Sequence, residues 1–514
     1  MNGKVPLPYA DDLVKRRSRY HEADVVVVGA GVFGCAVAHT LANQGRSVIL
    51  LERWMKEPNR IVGELLQPGG YESLRKLGLE GCVEDIDAIK VNGMSVVYYG
   101  NDMAMSYPVV EGWKKKSPQV PHLNGYANGY TNGHTNGSAY KKSDSSKPQG
   151  RSFHHGRFIM QLRRACLKHP NITVVETEAV GTIKGDKSPE ILGVETRTVN
   201  PTTGEKEPDC YFGQLTIIAD GYASKFRKQY IGQSPIVKSK FYALELVDCQ
   251  LPSQGYGHVV IGGRSLVLLY QIGTHETRAL VNVPEKLPEA SPANGGVRGY
   301  LTKVVLPELP PTVQPSFRAA LERDDKIPPS MPNSWLPPTK QGTFPGMVIL
   351  GDAMNMRHPL TGGGMTVALN DVVILSDVLS PSNISNLGDT TAVSKAMHTF
   401  HWRRKNLTSI INVLAQALYS LFAAEDANLA KLQRGCFEYF KRGYASDPMG
   451  LLGGLIHRPL VLAYHFFSVA FLAIWLDWLD SGLWKGPLLL WKAISVLWTA
   501  SVVFLPVMWR ELCL

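Results

Sequence analysis

Residues Asp24 to Glu52 leave this chain little choice of fold. A β-branched run, Asp24 to Val28, leads into Gly29-Ala30-Gly31-Val32-Phe33-Gly34. A helical stretch then extends to about Gln44, and a second strand, Ser47 to Leu51, closes on Glu52. Strand, glycine turn, helix and strand make the βαβ unit that begins a doubly wound sheet. Glycines at this spacing let a pyrophosphate approach the helix N-terminus, and Glu52, 18 residues past Gly34, can accept from a ribose hydroxyl. The glycine string alone is a weak signal; the strand before it, the helix after it and the acid beyond supply the context. A dinucleotide site is expected, its identity left open. No second string of this kind follows a strand, so a separate nicotinamide domain is not expected.

Two further strand ends carry loops of the same character. Met347 to Leu350 is apolar and runs into Gly351-Asp352, a proline corner at Pro359, and Gly362-Gly363-Gly364-Met365, which opens a helix. Leu215 to Ala219 ends in Asp220-Gly221, with Ser224 and Arg227 one helical turn apart. Between these loops, from Tyr242 to Val283, the pattern changes to longer β-rich segments: His258 to Ile261, Ser265 to Ile272 and Arg278 to Val283. They predict an antiparallel sheet inserted into the nucleotide fold, a natural floor for a substrate cavity. Pro-rich loops from Pro307 to Pro338 are expected to lead back to the strand before Gly351, and the chain after Gly364 reads as helical.

At 514 residues, two or more domains are expected. The spacing predicts a discontinuous nucleotide domain over 23–92, 151–232 and 344–425, a substrate domain over 93–110 and 233–343, and a helical region over 426–514. Residues 111–150 repeat Asn-Gly at Asn124, Asn128, Asn132 and Asn136; so polar and Gly-rich a segment cannot offset its ordering entropy, and a disordered insertion is expected.

Lys plus Arg outnumber Asp plus Glu by 54 to 44, but the excess is spread out apart from Lys15-Arg16-Arg17 and Lys114-Lys115-Lys116. Without a basic stripe interleaved with aromatics, nucleic acid is excluded as a partner, and an anionic membrane surface suits the charge better. Seven scattered cysteines with no C-x-x-C pair exclude a disulfide framework and a zinc site, and predict reduced thiols on a body facing the cytosol. Residues 1 to 22 are polar and basic, so no secretory signal is expected. Pro459 to Leu476 holds no formal charge, and Pro487 to Trp509 only Lys492. Both reach membrane-helix length, and Trp475, Trp478, Trp484, Trp491, Trp498 and Trp509 suit an interface. Spanning the bilayer and lying within one leaflet both fit this pattern.

Gly29 to Gly34, Asp220 to Arg227 and Gly351 to Met365, in that order, resemble the three signatures of the single-component FAD monooxygenases related to para-hydroxybenzoate hydroxylase. Longer strings are similar to the squalene epoxidase (squalene monooxygenase) family: Glu57 to Glu64, Leu66 to Tyr71, Phe153 to Met160 and Gly351 to Met365, within a match covering most of residues 23 to 510. The fold implied is α/β, a Rossmann-type FAD-binding fold with an inserted antiparallel β-sheet substrate domain and a C-terminal helical membrane region. The resemblance implies FAD contact from Val32, Phe33, Glu52, Arg53, Arg60, Leu65, Arg157, Val180, Asp352 and Met365. The motif positions Gly29, Gly31, Gly34, Asp220, Gly363 and Gly364 complete the expected cofactor set. Relatives place a tyrosine just after Asn92-Gly93, where it orients a glutamine of the active site, here Gln67; this chain has Met94.

The activity implied is epoxidation of squalene to (S)-2,3-oxidosqualene with O2, through a flavin C4a-hydroperoxide, in sterol synthesis. Electrons would come from NADPH through the microsomal NADPH-haemoprotein reductase, at the endoplasmic reticulum membrane and on lipid droplets. Such chemistry needs a dry, apolar cavity. Leu266, Leu268, Tyr270, Pro359 and Leu360 are candidates to line it, with Phe466 and Phe467 from the tail. Two other readings stay open: a quinone-pathway or aromatic FAD hydroxylase, with a polar pocket equipped for acid/base work, and a flavin-free carrier of prenyl lipids like the GDP-dissociation inhibitors.

Overall fold

The computed structural model describes residues 21–111, 147–200, 203–263, 265–323, 326–339, 344–423, 426–481 and 486–513; positions 112–146 of the polar insertion lie outside them. In chain order, the nucleotide end contributes β1 (Glu22–Val28), α1 (Val32–Asn43), β2 (Val48–Glu52), β3 (Leu65–Leu66) and α2 (Pro68–Lys76). There follow β4 (Ile89–Val91), β5 (Gly93–Tyr98), β6 (Asn101–Ser106), β7 (Gly150–Ser152), α3 (His155–Leu167) and β8 (Ile172–Glu176). Next come β9 (Glu178–Lys184), β10 (Ile191–Val199), β11 (Lys206–Ile218) and α4 (Lys225–Tyr230). The central segment supplies β12 (Ile236–Val247), β13 (Tyr256–Ile261), β14 (Leu266–Gln271), β15 (Glu276–Pro284), α5 (Gln314–Glu322) and β16 (Ser330–Trp335). β17 (Met347–Ile349) returns, and the rest is α6 (Gly364–Val378), α7 (Thr390–Ala423), α8 (Ala427–Lys441), α9 (Ser446–Leu452), α10 (Pro459–Ser481) and α11 (Gly486–Cys513).

The first sheet runs β8-β2-β1-β11, all parallel, and places α1 between β1 and β2 as the glycine turn requires. β11 is long enough to serve two neighbours on its far edge. Its first half pairs antiparallel with β10, and its last three residues pair in parallel with β17. The register sets Val28 opposite Ile218 and Ile218 opposite Ile349. Three strands therefore end side by side, and the loops beginning at Gly29, Asp220 and Gly351 converge on one edge, where open α/β sheets bind their ligands.

The second sheet is ordered β16-β12-β15-β14-β13-β5-β6, and its inner strands β15, β14, β13 and β5 are buried on both faces. Leu266, Leu268 and Tyr270 point into one apolar cluster with Met94, Leu280 and Leu360. Val267 and Leu269, alternating with them, point into another with Tyr300, Val305 and Phe317. With both faces of the strand covered in this two-residue period, β14 is apolar without a break from Leu266 to Leu269. The sheet departs from the expected pattern at one pair: β5 runs parallel to β13, because β5 and β6 arrive from a distant part of the chain. Part of the stretch read as Pro-rich loop also proves regular. Pro332 lies within β16, and at the sheet's edge a strand tolerates a residue that lacks an N–H.

The helical tail is attached along its length. α7, of 34 residues and about 51 Å, is too long for one domain: Phe400 packs in the nucleotide core, whereas Ile410 and Val413 pack on Leu462 and Phe504 of the tail. A boundary at residue 425 therefore misses the sharing of α7 between two cores. α10 runs antiparallel to α8, with Lys431 Nζ 3.0 Å from Asp477 and the Tyr439 hydroxyl 2.8 Å from His465 Nδ1. Asn428 ties α8 to Ser495 (2.8 Å) and Thr499 (3.1 Å) of α11. The opposite face of the pair leaves Tyr464, Phe471, Trp475, Trp491, Trp498 and Trp509 exposed. By length and composition α7, α10 and α11 could each cross a membrane, but more than half of the apolar stretch of α7 is buried in the protein.

Candidate active site

The nucleotide wall is made of backbone. Gly29 has φ +103°, and a Cβ there would lie 2.5 Å from the Ala219 carbonyl oxygen; a Cβ on Gly34 would lie 1.8 Å from that of Gly29. Neither position accepts a side chain, whereas nothing lies within 4 Å of a Cβ built on Gly31, which faces the cavity. The first turn of α1 carries no side-chain cap, so its N–H groups remain available to an anion. Glu52, at the tip of β2, accepts from the Ala30 N–H at 2.7 Å and pairs with Arg163 at 3.2 Å. Arg163, buried on α3, also donates to the carbonyls of Ala30 (3.0 Å), Trp54 (2.9 Å) and Lys56 (3.0 Å), holding the glycine turn and the acid together.

At the next strand tip, Asp220 Oδ2 accepts from the Lys225 N–H at 3.2 Å, while Oδ1 is buried without a partner among the described residues. Burial raises this carboxyl above its ordinary range. Arg227 donates to the carbonyls of Asp352 (3.2 Å) and Tyr222 (2.5 Å) and so joins the second loop to the third.

A cavity of about 210 Å³ opens against this wall. Val32, Phe33, Asp352, Gly364 and Met365 line one side; Met94, Leu268, Tyr270 and Leu280 line the other; Pro359 and Leu360 stand between. Arg60 and Leu65 also reach it. Gly363 sits just behind, where a Cβ would be 2.4 Å from Ile411 of α7. A glycine cradle, an uncapped helix start and an orphaned acid at a strand tip fit FAD, and Asp352, Gly362, Gly364 and Met365 stand on the cavity beside them.

Under the opposite wall lies a buried ion pair. Glu64, 1 % exposed, accepts from Arg278 Nε at 2.9 Å and Nη2 at 2.8 Å. The Tyr270 hydroxyl, 3.3 Å from Glu64, is tied into this pair while its ring faces the cavity. Gln67 is wholly buried behind the Pro359–Gly362 turn: Nε2 donates to the Thr361 carbonyl at 2.9 Å, and Oε1 accepts from the Tyr107 hydroxyl at 2.5 Å. Met94 lines the cavity, and the tyrosine that meets the glutamine is Tyr107, just past β6 and bonded through its N–H to the Asn92 carbonyl. His358 Nδ1 accepts from the Leu360 N–H at 3.3 Å, and its ring stacks on Tyr419 at 4.2 Å. Burial pushes its pKa down to about 3, so it is neutral and structural rather than a base.

The squalene epoxidase family model matches residues 212–491, and an FAD-binding domain model matches residues 22–285. Squalene epoxidase ERG1 of Gibberella zeae is 59% identical over 97% of each chain. The Aspergillus fumigatus squalene epoxidase is 51% identical over 98% of this chain and 97% of its own, and that of Saccharomyces cerevisiae 38% over 95% and 96%. The chain belongs to the squalene epoxidase family. Solved structures place that family's fold among flavoenzymes. PqsL of Pseudomonas aeruginosa aligns with TM-score 0.58 at 19% identity (78% of this chain, 97% of that one), and the flavin-dependent brominase Bmp2 with 0.58 at 12% (90% and 99%).

Not every residue that squalene epoxidase resemblance nominates comes to the cavity. Arg53 is exposed, stacked over Trp54 and 3.6 Å from Glu178; Arg157 is half-buried on α3, and Val180 half-buried on β9. None of the three lines it. Phe467 is a correction: it packs on Phe504 (5.9 Å between ring centroids) inside the tail, because α10 lies along α8 and α11 instead of over the flavin loop. Phe466 stacks on Phe504 in the same place, and Leu266 lies in the cluster behind the cavity surface. Sequence reasoning missed Arg163, Tyr107, the Glu64–Arg278 pair and Arg357. Arg163 had left a signal, an arginine on the buried stripe of α3 beside Leu162 and Cys166.

Proposed function

We propose that this protein epoxidises squalene to (S)-2,3-oxidosqualene for sterol synthesis, as a flavoenzyme of the endoplasmic reticulum membrane with its catalytic body in the cytosol. The observation that carries this reading is the joining, in one cavity, of a glycine-built cofactor wall to an apolar wall, with Pro359 and Leu360 at the seam. Bound and reduced, FAD supplies the activated dioxygen. The protein's part is to bind, orient and keep dry. Gly31 to Gly34 receive the pyrophosphate, Glu52 the ribose and Asp352 the ribityl chain, while Leu268, Leu280, Met94 and Leu360 hold an alkene and exclude water. Gln67, fixed by Tyr107, sets the turn that separates the two ligands.

A C30 hydrocarbon resides in the bilayer, since each buried methylene contributes about 0.8 kcal/mol, and the exposed aromatic face of α10 and α11 gives the body a means of collecting it there. Electrons are supplied from NADPH by the membrane-bound NADPH-haemoprotein reductase. Purified protein incubated with squalene, FAD, NADPH and that reductase should yield the monoepoxide. Peroxide without epoxide would overturn the substrate and leave the flavin standing.

A further inference from the structure

The last turn of the chain reaches back to the cofactor loop. Glu511 is only 3 % exposed, although it stands three residues from the C-terminus. Its Oε1 accepts from Asn412 Nδ2 at 2.8 Å, and its Oε2 lies 3.4 Å from Lys405 Nζ, both partners on α7. Asn412 Oδ1 in turn accepts from Arg357 Nε at 2.9 Å. Arg357 lines the cavity, donates through Nη1 to the Gly364 carbonyl at 3.2 Å and through Nη2 to the Asn355 carbonyl at 2.5 Å. Three hydrogen bonds in series, through Asn412 and Arg357, therefore link the tail to Gly364, where α6 opens against the cavity. The charges explain why an acid is needed so far from the chemistry. Arg357, Arg404 and Lys405 are buried together; Asp371 pairs with Arg404, and Glu511 is the carboxylate paired with Lys405. Buried cations without a partner are costly.

We propose that Glu511 is a positioning residue for the flavin loop: seating α11 on α7 fixes Asn412, and through it Arg357 and the Gly362–Gly364 turn, so that cofactor retention depends on the tail being in place. The inference rests on the FAD reading, and Glu511 itself touches neither cofactor nor substrate.

The test uses the full chain in lipid nanodiscs, with FAD affinity measured by flavin fluorescence and the exposure of residues 355–364 by hydrogen exchange. Glu511→Leu should weaken FAD binding about 10-fold, the worth of one hydrogen bond to a charged group, and speed exchange in that loop. Glu511→Gln, which keeps an acceptor for Asn412, should restore most of the affinity. Asn412→Leu leaves the Lys405–Glu511 pair intact and should show the same loss, which decides the matter if Glu511→Leu does not accumulate. Asp480→Asn, which breaks the pair with Arg434 at the far end of α10, should bind FAD like the unmodified protein. Unchanged affinity and exchange in both Leu variants overturns the proposal. So does an equal loss in Asp480→Asn, which would mean general loosening of the tail. An unmodified protein that binds no flavin would instead sink the cofactor reading.

Discussion

The two walls of the cavity are built by opposite means. The nucleotide wall is a matter of backbone: at Gly29 and Gly34 one added carbon collides with a carbonyl oxygen, and Arg163 and Arg227 fasten the loops through main-chain acceptors. The opposite wall is a matter of alternation. Leu268, Tyr270 and Leu280 point inward because Val267, Leu269 and Val281 point outward, and a change of shape can be absorbed by repacking. The first wall thus forbids atoms and the second forbids polarity. Glu64 and Arg278 mark the place where the second wall is as intolerant as the first.

The largest effect should come from that place. Arg278→Met leaves Glu64 buried without its partner and should cost about 3–5 kcal/mol in urea unfolding, whereas the double change Glu64→Met/Arg278→Met should recover most of the loss. Equal losses in single and double variants would show that volume, and not charge, sets stability there. Next in size, Gly34→Ala should weaken FAD binding about 100-fold, since a helix start pushed away from the glycine turn no longer meets the pyrophosphate. Leu268→Met on the facing wall should cost less than about 1.5 kcal/mol of stability and leave the flavin in place. A Gly34→Ala protein that holds FAD normally would erase the distinction between the walls. At the seam, Tyr107→Phe removes the hydroxyl that holds Gln67 and should lower kcat about 10-fold with FAD affinity unchanged, while Met94→Leu changes little. Loss of activity confined to Met94→Leu would return the role to the strand the family resemblance points to.

What could be read in the sequence divides along the same line. Gly29, Gly31, Gly34, Asp220 and Asp352 were legible because a special backbone conformation or a strand-tip acid leaves a local signature, and three strands in order suffice to bring their loops together. The side-chain partnerships were not. Glu64 and Arg278 are 214 positions apart, and only the β14–β15 register that sets Tyr270 opposite Arg278 makes the three neighbours. Tyr107 needed the β5–β6 hairpin, in which Gly93 faces Ser106, to be placed opposite Asn92. Phe467 was misplaced for another reason. From Pro459 to Leu476 α10 carries no formal charge and has apolar side chains all round, so periodicity names no inward face there, and the contacts with α8 and α11 decide it. Proline density likewise hid α5 and β16.

The smallest effect concerns protons and separates the cofactor wall from its seam. His155 lies under the nucleotide wall, its Nδ1 2.8 Å from the Gly63 carbonyl, and burial with the nearby Arg60 charge pushes its pKa down to about 3; His358 at the seam is pushed to about 3 by burial alone. Both values lie below the ordinary histidine value near 6.5, so between pH 6.5 and 3 the unfolded chain binds protons that the folded one refuses. The stabilisation from keeping each ring neutral is therefore complete above pH 6.5 and is lost as pH falls, by about 1 kcal/mol per residue between pH 7 and 5.5. His155→Asn retains a donor for Gly63 and removes the titration, so its stability should fall by that much less over this interval in urea unfolding. His358→Asn should flatten the curve equally. If only the His155 variant flattens it, water reaches the seam at low pH and the apolar wall is less dry than its residues require.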